Sequence, residues 1–320
     1  MTSPFRFSGV IPANLMTFNP DWSFDEPNYR RHLSWLADVE GVSAIVCNGH
    51  AAEVSSLNRE ERRRALAIAL DEVGDRVDLI SGIYTDNTLE AAEMAREAEA
   101  DGAAGLLVFP PTLFMWGAQL RPEMVLTHYR AIAEACALPL IAFQYPPAQG
   151  IGYSPETLVA LAEIETVVAV KDWSNDMVSL ERNLRALRST GRPVALLSSY
   201  SMSLMGSFLL GADGAISGMG SVAADLQARL FDAVQAGDLD AAHALNDRLD
   251  PLVRVFYAPP FLDMHNRMKE ALALLGRIDR AIVRPPLQAV PAAEREAIRL
   301  ALSASGLMPE AEVAPARKVS

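Results

Sequence analysis

Lysine is nearly absent from this chain. Of 28 basic residues only Lys171, Lys269 and Lys318 are lysines, so surface charge and ion pairing fall to arginine. A lysine set in an apolar stretch is then the one basic side chain here that can readily lose its proton. Cysteine is rarer still. Cys47 and Cys136 stand alone within apolar runs, without metal-ligand spacing and without a disulfide framework, the usage expected of small reduced core residues in a cytoplasm. The five histidines are dispersed: His50 and Glu53 are three apart, but no second histidine falls at a strand end, so neither a metal site nor a cofactor is expected. Positive charge is outweighed by 40 acidic residues, giving a net charge of −12 and a pI near 4.9. Nucleic acids and anionic membrane surfaces both demand a basic face, and are excluded as partners on that ground. No uninterrupted apolar run reaches the roughly 18 residues of a membrane span, and the N-terminus lacks the apolar core of a signal peptide.

What the chain does have is apolar residues, half of its 320, and a regular alternation of short apolar runs with amphipathic segments. Strand-like runs fall at 9–16, 43–47, 77–83, 104–109, 139–145, 166–171, 194–198 and 214–217, eight in all. Helical patterns lie between them. Their starts carry Asn58, Asn87, Ser154, Asn175-Asp176 and Asp238, whose side chains accept from free backbone donors, with acidic residues or proline in the first turn. Eight such units predict an α/β fold of the (β/α)8 barrel type, residues 1–222, more than an open doubly wound sheet. No Gly-x-Gly-x-x-Gly follows the first strand, which also disfavours a dinucleotide fold. Beyond residue 223 the strand pattern stops, and helical segments at 223–236, 239–255, 262–275 and 292–304 predict a C-terminal helical extension over 223–307. The end, 308–320, is rich in Pro, Ala and Glu and is expected to fray.

One octapeptide stands out, Thr166-Val167-Val168-Ala169-Val170-Lys171-Asp172-Trp173. It reads as a strand buried on both faces whose last residues include an amine. Burial disfavours the ammonium, by up to about 3–5 pKa units when complete, and frees the amine to attack a carbonyl. The alternative is a lysine that snorkels to pair with Asp172 or a neighbouring carboxylate.

Residues at the C-terminal ends of barrel strands converge on one mouth. There lie Asn48-Gly49-His50-Ala51-Ala52-Glu53, then Pro110 to Trp116, Phe143-Gln144-Tyr145-Pro146, Lys171-Asp172-Trp173, Ser198-Ser199-Tyr200 and Ser217-Gly218-Met219-Gly220-Ser221. The last of these could hold a phosphate at a helix start or be a plain turn and cap. His50 could equally be a loop residue capping a helix. His32, His128, His243 and His265 fall inside helical patterns and read as ordinary helix residues.

Taken together, the motifs Gly41-Val42-Ser43-Ala44-Ile45-Val46, Glu53 to Leu57 followed by Asn58-Arg59-Glu60-Glu61-Arg62, Pro139-Leu140-Ile141, Val168-Ala169-Val170-Lys171-Asp172 and Gly211 to Ser217 resemble the dihydrodipicolinate synthase and N-acetylneuraminate lyase family, over about residues 8–280. The resemblance implies a class I, Schiff-base barrel, with the family's imine lysine at Lys171 and a dimer or a tetramer of dimers. The departures are specific. Where the family has Gly-Thr/Ser-Thr-Gly-Glu to hold a keto acid's carboxylate, this chain has Gly49-His50-Ala51-Ala52-Glu53. The family's proton-relay tyrosine falls on Phe143, the synthase's substrate-binding arginine on Ala148, and its dimer-crossing tyrosine near Thr112, in a loop that offers Phe114 and Trp116.

Strand alternation places Tyr145 on the same face as Phe143, so a phenol is expected two residues further toward the mouth, with His50 as its partner. An unperturbed histidine pKa of about 6.5 would suit that role. The expected catalytic residues are therefore Lys171, Tyr145 and His50. Ala51, Phe143, Trp116, Trp173, Ser199, Gly214, Ile216 and Ser217 are expected to line the substrate. The implied function is a lyase or aldolase acting on a 2-oxo acid or related carbonyl compound, and not a true dihydrodipicolinate synthase. A dehydratase or hydratase working through the same imine, or a barrel that binds a ligand without turning it over, are the alternatives.

Overall fold

A computed structural model describes residues 7–308, so all but the first residue of the expected fraying tail lies outside the described residues. Eight strands and helices alternate: β1 (Gly9–Pro12), α1 (Glu26–Ala37), β2 (Ala44–Cys47), α2 (Arg59–Val73), β3 (Asp78–Ile83), α3 (Thr88–Asp101), β4 (Gly105–Val108), α4 (Pro122–Ala135), β5 (Leu140–Gln144), α5 (Pro155–Ala162), β6 (Val167–Asp172), α6 (Met177–Ser189), β7 (Ala195–Ser198), α7 (Leu204–Leu209), β8 (Gly214–Ser217) and α8 (Gly220–Gln235). Three further helices follow, α9 (Leu239–Phe256), α10 (Met264–Leu274) and α11 (Ala292–Ala304). This is a (β/α)8 barrel with a C-terminal helical part.

Every strand pair is parallel, in the order β1-β8-β7-β6-β5-β4-β3-β2. The ring is shut between β1 and β2 by the bridges Val10 to Val42 and Ala13 to Val46, with the Asn14 amide donating to the Val46 carbonyl at 3.0 Å. On the other edge of β1, a Cβ on Gly214 would stand 2.1 Å from the Gly9 carbonyl oxygen, so only glycine lets β8 lie this close to β1. Helices cover the outside of the ring, so strands such as β2, β4 and β5 are buried along their whole length and need apolar residues on both faces.

The helix starts are built as the cap residues require. Asn58 and Glu61 exchange side-chain and backbone hydrogen bonds in a full capping box at α2, and Asn87, Ser154, Asp176 and Asp238 each accept from a first-turn amide. The C-terminal helices are not a detached appendage. Helix α10 buries Met268, Ala271 and Leu272 and packs on α8, α9 and α11, which carries its N-terminal turn to the barrel mouth. Among the described residues no helix is long and apolar enough to cross a membrane.

Candidate active site

Strand β6 aligns Lys171 with Phe143 on β5 and Leu197 on β7. Pleating sends its neighbour the other way: the Asp172 carboxylate accepts from the Asn183 side-chain amide on α6 at 2.7 Å and from the Ser174 amide at 2.9 Å, out in the helix layer. Lys171 and Asp172 therefore cannot pair, because adjacent strand residues face opposite sides of the sheet. The Lys171 Nζ instead lies 4.0 Å from the centroid of the Phe143 ring, and the side chain is 5% exposed. Among the described residues no carboxylate meets it. Burial lowers this amine from 10.5 to about 7.

Lys269 on α10 is equally buried but has a counter-ion. Its ammonium meets the Glu53 carboxylate and donates to the Ile282 carbonyl at 2.8 Å, while the other Glu53 oxygen takes the Arg284 amide at 3.0 Å. Glu53 sits at φ 52°, in the left-handed region, between two short 3₁₀ turns after β2. Its role is to tie the β2 loop to the C-terminal helices.

The same loop delivers His50, whose Nε2 is hydrogen-bonded to the Tyr145 hydroxyl. The imidazole packs edge-on against Phe109 with centroids 4.9 Å apart and lies 5.8 Å from Phe143. Burial, and then the charge of Lys171, hold His50 at about 3, well below the 6.5 expected of an unperturbed ring, because an imidazolium here would be desolvated beside a cation. His50 is thus a neutral imidazole at pH 7, and either tautomer can make the bond to Tyr145. Burial likewise pushes the Tyr145 hydroxyl well above the usual phenol range.

These groups open onto a cavity of about 290 Å³. Of the residues expected from the sequence, Lys171, His50, Ala51, Phe143, Trp173 and Ser199 line it, and Tyr145 adjoins it through His50. Besides Tyr145, four do not line it. Trp116 is 89% exposed, in a surface patch with Leu113, Met115 and Met124. Gly214 serves the contact between β8 and β1, and Ile216 is wholly buried in the barrel. The Ser217 hydroxyl is engaged within the fold, taking the Gly220 amide and the Gln227 side chain, each at 3.1 Å, and meeting Ser201 at 3.1 Å. In the glycine-rich turn the Gly220, Ser221 and Val222 amides are taken up locally, by the Ser217 hydroxyl and by the Gly218 and Met219 carbonyls, as in a plain turn and cap.

Sequence reasoning missed the wall supplied from beyond the barrel: Tyr257, Leu262, Met264 and His265, with the 284–287 segment. The sequence reads His265 as an ordinary helix residue. It is the second residue of α10, brought so close to Gly218 that a Cβ there would lie 3.0 Å from its Nε2, and burial holds it at about 3. No local pattern marks it, since its neighbourhood is set by how α10 docks.

The sequence matches the family described as "Dihydrodipicolinate synthetase family" over residues 6–305. It is 31% identical to a 4-hydroxy-tetrahydrodipicolinate synthase of Syntrophus aciditrophicus (strain SB), covering 94% of this chain and 99% of that protein. It is 28% identical to the probable 2-dehydro-3-deoxy-D-pentonate aldolase YjhH of Escherichia coli (strain K12), covering 95% and 99%. Among solved structures, a monomeric dihydrodipicolinate synthase variant superposes with a TM-score of 0.87 at 25% identity, covering 96% of this chain and all of that one. YagE, a prophage protein of the dihydrodipicolinic acid synthase family from E. coli K12 in complex with pyruvate, superposes with a TM-score of 0.85 at 26% identity, covering 94% and 99%. With whole-chain likeness in sequence and fold alike, this chain belongs to the dihydrodipicolinate synthetase family of lyase and aldolase barrels.

Proposed function

We propose that the protein is a class I aldolase or lyase that forms an imine between Lys171 and the C2 carbonyl of a 2-oxo acid. The observation that carries this is the state of Lys171: a buried amine without a counter-ion, lowered to about 7, facing a cavity beside a hydrogen-bonded imidazole and phenol. A lysine kept for structure would be expected to have what Lys269 has, a carboxylate.

The neutral amine adds to the carbonyl carbon, the carbinolamine loses water, and the resulting iminium draws electrons from the bond at C3. For a 4-hydroxy-2-oxo acid, removal of the C4 hydroxyl proton then breaks the bond between C3 and C4, releases an aldehyde and leaves the enamine of pyruvate. The enamine takes a proton at C3, and water frees Lys171. In this reading His50 and Tyr145, hydrogen-bonded to each other, move the hydroxyl proton, both starting as neutral groups.

Dihydrodipicolinate synthase activity itself is not part of the proposal. Ala51 stands at the family's carboxylate-binding hydroxyl, Phe143 at its relay phenol, and Ala148, where the synthase has arginine, is exposed on a short turn after β5. Borohydride reduction in the presence of pyruvate tests the imine directly. An adduct confined to the peptide bearing Lys171, with loss of activity, is the expected result; an adduct on Lys269, or one that persists in Lys171→Ala, would overturn it.

A further inference from the structure

The part of the cavity wall supplied by Trp173, Tyr257, Leu262 and Met264 is apolar. Trp173, just after β6, is held in one orientation: it stacks on Phe261 at 6.1 Å with the planes 18° apart and meets Tyr145 edge-on at 5.5 Å. Tyr257 lies 5.8 Å from Phe261 and closes the same corner, and Leu262 and Met264 continue the surface. Such a wall offers a flat, pre-formed contact for a ring, at little cost in side-chain entropy.

The charged groups around the cavity are already occupied. The Arg284 guanidinium is bonded to Glu61 at 2.6 and 2.9 Å, to the Trp22 carbonyl and to the Ser56 carbonyl. Glu53 is bonded to Lys269 and to the Arg284 amide. His50 and His265 are neutral imidazoles. Once Lys171 is committed to an imine, no free cation among the described residues faces the cavity to receive a second carboxylate. A volume of about 290 Å³ sits at the small end of the ~300–1,000 Å³ typical of ligand pockets, which suits a fragment of a single ring beside the three-carbon acid.

We infer that the second carbonyl partner in the Lys171 reaction, the fragment that leaves in cleavage and enters in condensation, is an uncharged aryl or similarly bulky apolar aldehyde seated against Trp173, Tyr257, Leu262 and Met264. This rests on the imine reading above. In condensation, C3 of the pyruvate enamine bonds to the aldehyde carbon and the aldehyde oxygen takes a proton from the His50–Tyr145 pair. Water then hydrolyses the iminium, giving a 4-aryl-4-hydroxy-2-oxo acid and the free amine. The atoms balance without an oxidant or reductant.

The test offers the purified full-length protein pyruvate with benzaldehyde, glyceraldehyde or succinic semialdehyde and measures product by mass spectrometry, with borohydride trapping of pyruvate alone run in parallel. The expected result is a kcat/KM for benzaldehyde about 100-fold or more above that for either polar aldehyde, because the wall of Trp173, Tyr257, Leu262 and Met264 offers no partner to a carboxylate or a set of hydroxyls seated against it. Trapping at Lys171 combined with equal or better use of a polar aldehyde, or with no product from benzaldehyde, overturns this inference and leaves the imine standing. Absence of trapping removes both. Leu262 is 71% exposed, so Leu262→Arg introduces a cation at the wall without burying one. It should shift the ratio of kcat/KM for succinic semialdehyde over benzaldehyde at least about tenfold toward the anion; an unchanged ratio counts against the seating proposed.

Discussion

The Tyr145 hydroxyl is hydrogen-bonded to the His50 Nε2, joining side chains 95 residues apart in the chain. Phe143, at the position where the family carries its relay phenol, packs against Tyr145 with ring centroids 4.5 Å apart. The phenol stands one strand alternation nearer the mouth. In the proposed cleavage at C3–C4, a group in that place would reach a substrate oxygen further from the imine carbon.

Replacing either member of this pair should slow turnover without preventing imine formation. Tyr145→Phe and His50→Ala are each expected to lower kcat by about 100-fold or more, the usual worth of a positioned acid or base. Borohydride trapping of pyruvate at Lys171 should stay near the wild-type level. Near wild-type kcat in Tyr145→Phe would return the residue to packing.

The pH dependence of trapping reports the amine. With Lys171 at about 7, the rate of imine formation should rise about tenfold per pH unit below 7 and level off above it. A rate that keeps climbing toward pH 10 would mean an ordinary, solvated lysine.

Stability should show the same shift with a definite sign. Above pH 10.5 the folded and unfolded chains both hold a neutral amine, and burial of Lys171 carries no protonation penalty. As pH falls from 10.5 to about 7 the unfolded chain takes up a proton that the folded chain refuses, so stability is lost across that window and is constant below it. Lys171→Met should therefore stabilise the fold at pH 7 by about 2–5 kcal/mol, with the gain shrinking toward pH 10. Urea unfolding at the two pH values measures it.

The other buried lysine predicts the opposite. Glu53→Ala leaves the Lys269 ammonium, 1% exposed, without its carboxylate, and frees the Arg284 amide as well. Breaking one side of a buried pair costs about 3–5 kcal/mol. Most of that loss should be recovered in Glu53→Leu combined with Lys269→Met, where no charge remains buried.

Condensation of pyruvate with aspartate semialdehyde should be slow. Each missing charge-assisted contact costs about 1.5–3 kcal/mol, and neither Ala51 nor Ala148 can make one. A purified sample that performs this condensation robustly would contradict the reading of the departures.

Several features were legible in the chain before any coordinates. Short apolar runs and the 3.6-residue apolar period record burial locally, and with the cap residues they are enough to place eight strands, the caps at Asn58, Asn87, Ser154 and Asp238, and Lys171 in an apolar strand end. Strand alternation alone was also enough to put Tyr145 on the face of Phe143. Tertiary structure decided what periodicity cannot carry. That Lys269 has Glu53, while Lys171 meets no carboxylate among the described residues, depends on how distant segments pack, and the docking of α10 also brings His265 against Gly218 and makes Met264 part of the cavity. It also set His50 at about 3, because a pKa is a property of the enclosing volume and its charges, and those are assembled from segments far apart in sequence. Trp116 illustrates the converse: its place after the fourth strand made it a candidate for the mouth, and the path of its loop turned it outward.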